Sequence, residues 1–452
     1  VMLSQLSYTA MGVIDTVMVG RLGVTALAGV GLGAMLVWWL LSLVFGAVAG
    51  VNTAVAQAVG AGDRRGVGEA FWHGIYMTGA LALSLMAAWP LIPQILAWID
   101  PGVEVASISR EYLGIRLLSC ITLVPWLVAD AFYKGLGLTR IPMRAALVQL
   151  ALNCGLNYLF IFGKLGFPAL GAPGSALATV LAQSVVGLAL TAGLLFGPLG
   201  RRYRIWRTWR PQPSLMRALV AMSLPIGVQS FMEMGGVSVF TAFVARLGEA
   251  EIAATNAVIQ HWRVAFMAAF GLSVGATTLV GQCVGAGDFA AARSTVKRVL
   301  LLGALLMGAL GVVYLALPGR LMAVFVQGED LARLQPFARP LFTVLAICLL
   351  LDLAFMVFAG ALRVAGDTTF PMWVNVSSAW LVFVPLVWWV TPRWGVVASW
   401  GCFVVHLALM ALVLGLRFRS GRWIGKSLRE RLRGGDTESL LSEPGQPEAL
   451  GQ

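Results

Sequence analysis

The sequence predicts an all-α membrane protein, with twelve transmembrane helices in two six-helix bundles related by pseudo-two-fold symmetry around a central cleft. Three observations carry this expectation. The 452 residues are 59% hydrophobic and only 12% charged, with a mean hydropathy of +0.84, values suited to lipid rather than to a water-exposed globule. Apolar runs of about 20 residues or more, enough to cross a bilayer, recur along the whole chain. Short strings also repeat at a fixed spacing: Val59-Gly-Ala-Gly-Asp63 returns as Val284-Gly-Ala-Gly-Asp288, and Gly20-Arg-Leu-Gly23 as Ala245-Arg-Leu-Gly248.

Taken in order, the first six helices are expected near residues 1–20, 26–59, 68–98, 107–134, 141–163 and 173–197. The second six are expected near 214–246, 249–284, 289–325, 330–365, 369–391 and 394–418. Several exceed one bilayer thickness and should tilt, bend or project beyond the lipid. Residues 1–200 form the N-terminal lobe. Residues 201–213 form a basic linker, in which Arg201-Arg-Tyr-Arg-Ile-Trp-Arg-Thr-Trp-Arg210 precedes Pro211 and Pro213. The C-terminal lobe takes 214–419, and 420–452 reads as a basic stretch followed by a disordered, acidic tail containing Pro and Gly. Most Lys and Arg residues lie on the linker's side of the spans, which predicts a multi-pass inner-membrane protein with both termini cytoplasmic.

The repeated strings keep one common offset, which Gln57 and Gln282 share, and Pro142-Met143 answers Pro371-Met372 at a slightly longer one. An even number of helices per copy makes the two copies parallel, the arrangement of transporters whose halves rock about a site between them. In this register Pro225 falls on the position before Val1, so the chain is expected to begin inside its first helix.

Composition also excludes classes. The net charge of +12 reads as basic cytoplasmic loops and not as a nucleic-acid surface. Five scattered cysteines and three dispersed histidines, His73, His261 and His406, give neither a disulfide framework nor a metal cluster. Gly271-Leu-Ser-Val-Gly275 matches a nucleophile-elbow string but lies within an apolar helix. Gly425-Lys426-Ser427 lacks the glycine of a phosphate loop, since position 420 is serine. With no ATP site, active transport would have to draw on an ion gradient.

The chemistry-bearing residues are acids at bilayer depth, where a charge costs about 2.5–3.5 kcal/mol on insertion scales and marks the path of an ion, proton or substrate. Glu233 stands mid-helix, one turn after Gln229, and Asp352 stands in the apolar run Leu345 to Phe358. Two carboxylates facing one cavity can hold a cation such as Na⁺, or a proton; a pair satisfied by neighbouring hydroxyls and amides is the bland alternative. Asp15 is either a second cation site or an anchor for the helix end near Arg21. Asp130, one turn before Lys134, reads as an ordinary ion pair. By the repeat, Glu233 maps seven residues before Asp15 and Asp352 seven before Asp130, placing the paired acids on similar faces at different depths. Gln149, Asn153 and Asn157 form a polar stripe at i, i+4 and i+8, which lines a cavity or joins helices. Asn256 and Gln260 pose the same question. Trp38, Trp39, Phe266, Met267 and Phe355 are candidates for a surface that takes flat cations, or for lipid and core contacts.

Asp15-Thr-Val-Met-Val-Gly20, Asn157-Tyr-Leu-Phe-Ile-Phe-Gly-Lys164, Gly360-Ala-Leu-Arg-Val-Ala-Gly-Asp-Thr-Thr-Phe-Pro371 and the duplicated Val-Gly-Ala-Gly-Asp are together specific. Through them the chain resembles the multidrug and toxic compound extrusion (MATE) family, on its NorM-like side, over nearly its whole length. The resemblance implies two six-helix bundles around a cleft and export of small organic cations in exchange for Na⁺ or H⁺. It implies no cofactor, no ATP and a single chain working in membrane lipid. Glu233 and Asp352 resemble the acids of that branch's seventh and tenth helices, and Asp15 the first-helix aspartate shared more widely. Asn157 stands where the DinF-like branch has an aspartate. Leu138 departs from the family's usual aspartate, which Asp367 keeps in the second copy. The alternatives are a flippase for lipid-linked saccharides, which would require a basic cavity, and a membrane enzyme or scaffold, for which no catalytic constellation is present.

Overall fold

Two aspartates start the helices that follow the duplicated strings. Asp63 accepts a hydrogen bond from the Gly66 nitrogen and Asp288 one from the Ala291 nitrogen, both at 2.8 Å, satisfying amides that the first helical turn leaves open. The structure is a computed structural model that describes residues 2–164, 166–324 and 329–428, together with 430 and 432. The tail expected to be disordered, 434–452, lies outside the described residues.

The first half contains α1 (Met2–Gly20), α2 (Val24–Gly60), α3 (Arg64–Ala87), α4 (Ile92–Ile99), α5 (Val103–Leu118), α6 (Cys120–Gly135), α7 (Arg140–Phe162) and α8 (Ala172–Phe196), with the short α9 (Pro198–Arg202) after it. The second contains α10 (Pro213–Ala245), α11 (Glu249–Gly285), α12 (Phe289–Ala316), α13 (Pro318–Ala323), α14 (Glu329–Val364), α15 (Thr369–Ser377) and α16 (Val384–Arg419). Among the described residues, nine helices are long and apolar enough to cross a membrane, or ten if α5 and α6 form one bent crossing.

Three helices are more broken than the apolar pattern predicts. The expected span at 107–134 bends by 55° between α5 and α6. At the bend Ser119 Oγ donates to the Arg116 carbonyl and Thr122 Oγ1 to that of Ser119, and Pro125 removes a backbone donor just beyond. The expected span at 68–98 is interrupted by a 3₁₀ turn at Trp89–Leu91 that includes Pro90, and the one at 289–325 stops at Ala316, just before Pro318. The stretch Thr369–Arg419 covers 51 residues but is two helices joined across a kink. It contains a π-helical turn at Ser378–Phe383 and leaves helical geometry at Gly395 (φ 75°, ψ −169°), one residue inside the start of the span expected at 394–418.

Among the described residues, buried apolar side chains form two clusters. One takes residues from Val19 to Met222 and adds Leu428; the other takes residues from Phe240 to Trp423. The halves meet closely along α2. A methyl group at Gly60 would sit 1.9 Å from the Gln282 carbonyl oxygen, and one at Gly285 would sit 2.0 Å from that of Gln57. Only glycine permits this backbone contact. Gln57 Nε2 donates to the Val364 carbonyl at 2.6 Å, and Gln282 Nε2 donates to the Gly135 carbonyl at 3.1 Å.

The chain after α16 folds back rather than trailing away. Asp367 pairs with Arg417 at 2.9 Å and Lys426 at 2.8 Å, and the Leu428 nitrogen donates to Gln57 Oε1 at 2.8 Å. Leu428 is buried in the first cluster.

Candidate cation sites

Asp15 is half-buried near the end of α1. Facing it, α7 presents Gln149, Asn153 and Asn157 along one stripe, all fully buried. Asn157 Nδ2 donates to Asp15 Oδ1 and to Asn153 Oδ1 at 3.1 Å. Asn153 Nδ2 donates to Thr179 Oγ1 on α8 at 3.2 Å. The Thr179 hydroxyl lies 3.3 Å from Asp15 Oδ2 and 2.9 Å from the Ser175 carbonyl, and its one proton serves only one of these acceptors at a time. Gln149 lies farther along the stripe, where its Nε2 stands 3.8 Å from Met11 Sδ. The partners of Asp15 are thus amides and a hydroxyl rather than Arg21. The group offers carboxylate, amide and hydroxyl oxygens from three helices, hard donors of the kind that suit a small cation.

Asp130 behaves as its spacing predicts, forming a buried pair with Lys134. In the register that sets Pro371 against Pro142, the basic residue of the second copy is Arg363, and the position four residues before it is Ala359. Arg363 therefore lacks the neighbouring acid that Lys134 has. Its Nε is buried without a protein partner.

Asp352 on α14 is 3% exposed and accepts a hydrogen bond from Trp262 Nε1 of α11 at 3.3 Å. Glu233 on α10 is half-buried. The two carboxylates share no direct hydrogen bond, but the charge of Glu233 acts on Asp352 and that of Arg363 acts on Glu233. Arg363 follows Asp352 by eleven residues, close to three helical turns, so both project from one face of α14. Gln229 is fully buried, and neither polar atom of its amide has a protein partner. Asn256 and Gln260 are exposed on α11; Gln260 Oε1 accepts from Arg263 at 3.4 Å, and no hydrogen bond joins either residue to the acids.

The aromatic candidates separate. Trp39 stacks on Phe231 at 4.7 Å with an interplanar angle of 4° and donates to the Phe231 carbonyl, two residues before Glu233. Phe266 packs against Trp262, Phe355 is core, and Trp38 is half exposed. A small apolar cavity beside Trp262 and Cys348 is closed by Phe240, Trp400 and Phe403.

The MatE family model matches residues 1–159 and 225–389. The chain belongs to the MatE family. A probable multidrug resistance protein NorM from Rhizobium meliloti is 31% identical, over 92% of this chain and 90% of that protein. Another from Thermotoga maritima is 27% identical, over 93% and 91%. The fold is that of a MOP superfamily transporter from Pyrococcus furiosus, with a TM-score of 0.86, 19% identity and 93% of each chain covered. MATE proteins are transporters and not enzymes.

In this MATE chain the sequence pattern did not single out Thr179, Trp262 or Arg363. A threonine in an apolar helix usually bonds its own backbone, as Thr179 does to Ser175. The signal for Arg363 lies in its helical phase relative to Asp352, inside the span expected at 330–365.

Proposed function

We propose that this MATE protein is a secondary antiporter of the inner membrane that exports small organic cations in exchange for Na⁺ or H⁺. The observation that carries the reading is that three acids at membrane depth, Asp15, Glu233 and Asp352, have no salt-bridge partner among the described residues, whereas Asp130 has one. Retained charge outside any salt bridge fits groups that are neutralised by what they transport. The multidrug resistance names of the relatives support the substrate class.

In this proposal the chain crosses the membrane twelve times, counting α1, α3 with α4, α5 with α6, and a break at Gly395. Residues 1–200 and 214–419 form two lobes related by a pseudo-two-fold axis. The reciprocal contacts of Gln57 and Gln282 support that axis. Both termini are cytoplasmic, the chain acts as a monomer, and ATP has no part in the cycle.

Glu233 and Asp352 form the site that a monocationic drug and the coupling ion contest, and Asp15 with Asn153, Asn157 and Thr179 forms a second ion site. Gln149 and Gln229 line the cavities. If one charge neutralises the contested site, ion and drug exclude one another, and linkage makes the exclusion reciprocal. Efflux into inverted vesicles, with Na⁺ and pH gradients imposed separately, tests the proposal. Export driven by at least one gradient is expected, and export that needs neither rejects it.

A further inference from the structure

The basic segment between α9 and α10 is not a slack linker. Tyr203, Ile205 and Thr208 are buried, and a 3₁₀ turn spans Ile205–Arg207. Four side chains of α3 hold the segment down. Trp72 Nε1 donates to the Ile205 carbonyl at 2.8 Å, and the Tyr76 hydroxyl donates to the Trp209 carbonyl. The Gln212 nitrogen donates to His73 Nε2 at 2.8 Å, and Gln212 Nε2 donates to Glu69 at 2.7 Å. Glu69, the acid that touches the segment, is also engaged by Arg65 at 2.7 Å.

Burial of every apolar anchor turns the arginines outward. Arg201, Arg202, Arg204, Arg207 and Arg210 are all exposed, and none forms an ion pair among the described residues. Beside them Trp206 and Trp209 are 52% and 55% exposed, and Phe196, the last residue of α8, is 73% exposed. Trp206 packs against Phe196 at 5.7 Å and donates to the Leu195 carbonyl at 3.0 Å. Exposed tryptophans at the end of an apolar span belong at headgroup level. Arginine recognises phosphate oxygens through a planar fork of donors.

We propose that Arg201–Arg210 is a docking surface for anionic phospholipid headgroups of the cytoplasmic leaflet. The surface is rigid before lipid arrives, so little ordering entropy is lost on binding. Its five arginine charges, free of ion pairs, are complementary to phosphate, and its aromatic side chains match the acyl boundary. The site is separate from the acids of the transport path and does not depend on the proposed activity, but it rests on the cytoplasmic orientation proposed above.

Trp206 and Trp209 serve as reporters. The protein and its W206F/W209F variant are placed in nanodiscs of phosphatidylcholine containing a minor fraction of brominated lipid, and the difference in fluorescence isolates the two indoles. Brominated phosphatidylglycerol should be enriched at them at least about fivefold over brominated phosphatidylcholine, the factor that one such arginine contributes. Replacing all five arginines by glutamine should remove the preference, while replacing them by lysine should keep most of it. Equal quenching by the two lipids in the unmodified protein, or an undiminished preference in the glutamine variant, overturns the proposal. Loss of the preference on adding millimolar glycerol phosphate also overturns it, because the surface would then be a site for free phosphate.

Discussion

The Gln57 side chain donates to the backbone carbonyl of Val364 at 2.6 Å, tying α2 to the end of α14. Gln282, its equivalent in the second copy, makes the counterpart bond to Gly135 at 3.1 Å. Gly135 and Val364 are themselves equivalent, in the register that sets Pro142 against Pro371. Each half thus offers the same side chain to the same backbone position of the other. The two bonds differ in one respect: Gln57 also accepts from Leu428.

That difference ranks two substitutions. Gln57→Ala leaves the Val364 carbonyl and the Leu428 amide without partners, at a cost of about 1–3 kcal/mol for each buried group. Gln282→Ala strands one carbonyl. Thermal denaturation in detergent should give a larger drop in Tm for Gln57→Ala, and the reverse order would refute the bridging role.

The two basic residues related by the repeat should respond oppositely. Lys134→Gln strands buried Asp130 and should destabilise the protein by about 3–5 kcal/mol, a loss that adding Asp130→Asn largely restores. Arg363→Gln removes a positive charge that acts on Glu233. It should tighten binding of a monovalent organic cation with a much smaller fall in stability. Weaker cation binding by Arg363→Gln, in equilibrium titration of folded protein, would count against this assignment.

Around Asp15 the expectation is graded. Asp15→Asn should remove the share of ion-dependent stabilisation that this second site contributes, leaving the share of the Glu233–Asp352 site. Thr179→Val, which keeps the shape and removes one oxygen, should weaken the ion response by roughly tenfold, the equivalent of one ordinary hydrogen bond. Equal responses from the two variants would mean that the hydroxyl takes no part.

Acidification should release bound drug. Protonating Glu233 or Asp352 removes a negative charge from the contested site, so the apparent Kd for a monocation rises as pH falls. Added Na⁺ should act in the same direction if it is the coupling ion. Asp352→Asn should flatten both dependences. Drug affinity unaltered by either pH or Na⁺ would end the shared-site mechanism, even for a working transporter.

Much of this was legible in the chain because it is written locally. Apolar run length marks the helices, and the repeated Val-Gly-Ala-Gly-Asp string marks the duplication, though the caps that its aspartates form at Asp63 and Asp288 emerge only in the structure. Acids in lipid-like surroundings stand out by their cost. The bend at Ser119 was hidden because hydroxyl-to-carbonyl bonds leave the hydropathy unaltered. The partners of Asp15 come from α7 and α8, far along the chain at Asn157 and Thr179, and only the polar spacing on α7 hinted at them. Arg201 to Arg210 read as a linker because arginines and prolines signal exposure. The signal for order lay in Tyr203, Ile205 and Thr208, whose anchors are on α3.

The return of Leu428 to the first apolar cluster, with Leu432 packed against it, has a consequence for biosynthesis. Domains made first generally fold first as the chain leaves the ribosome. Here the early helices are inserted long before the residues that complete their packing have been translated. Gln57 waits for the amide of Leu428, 371 residues later in the chain. The first half therefore reaches its finished state only after the second half has been made, and its maturation is timed by residues translated long after its own.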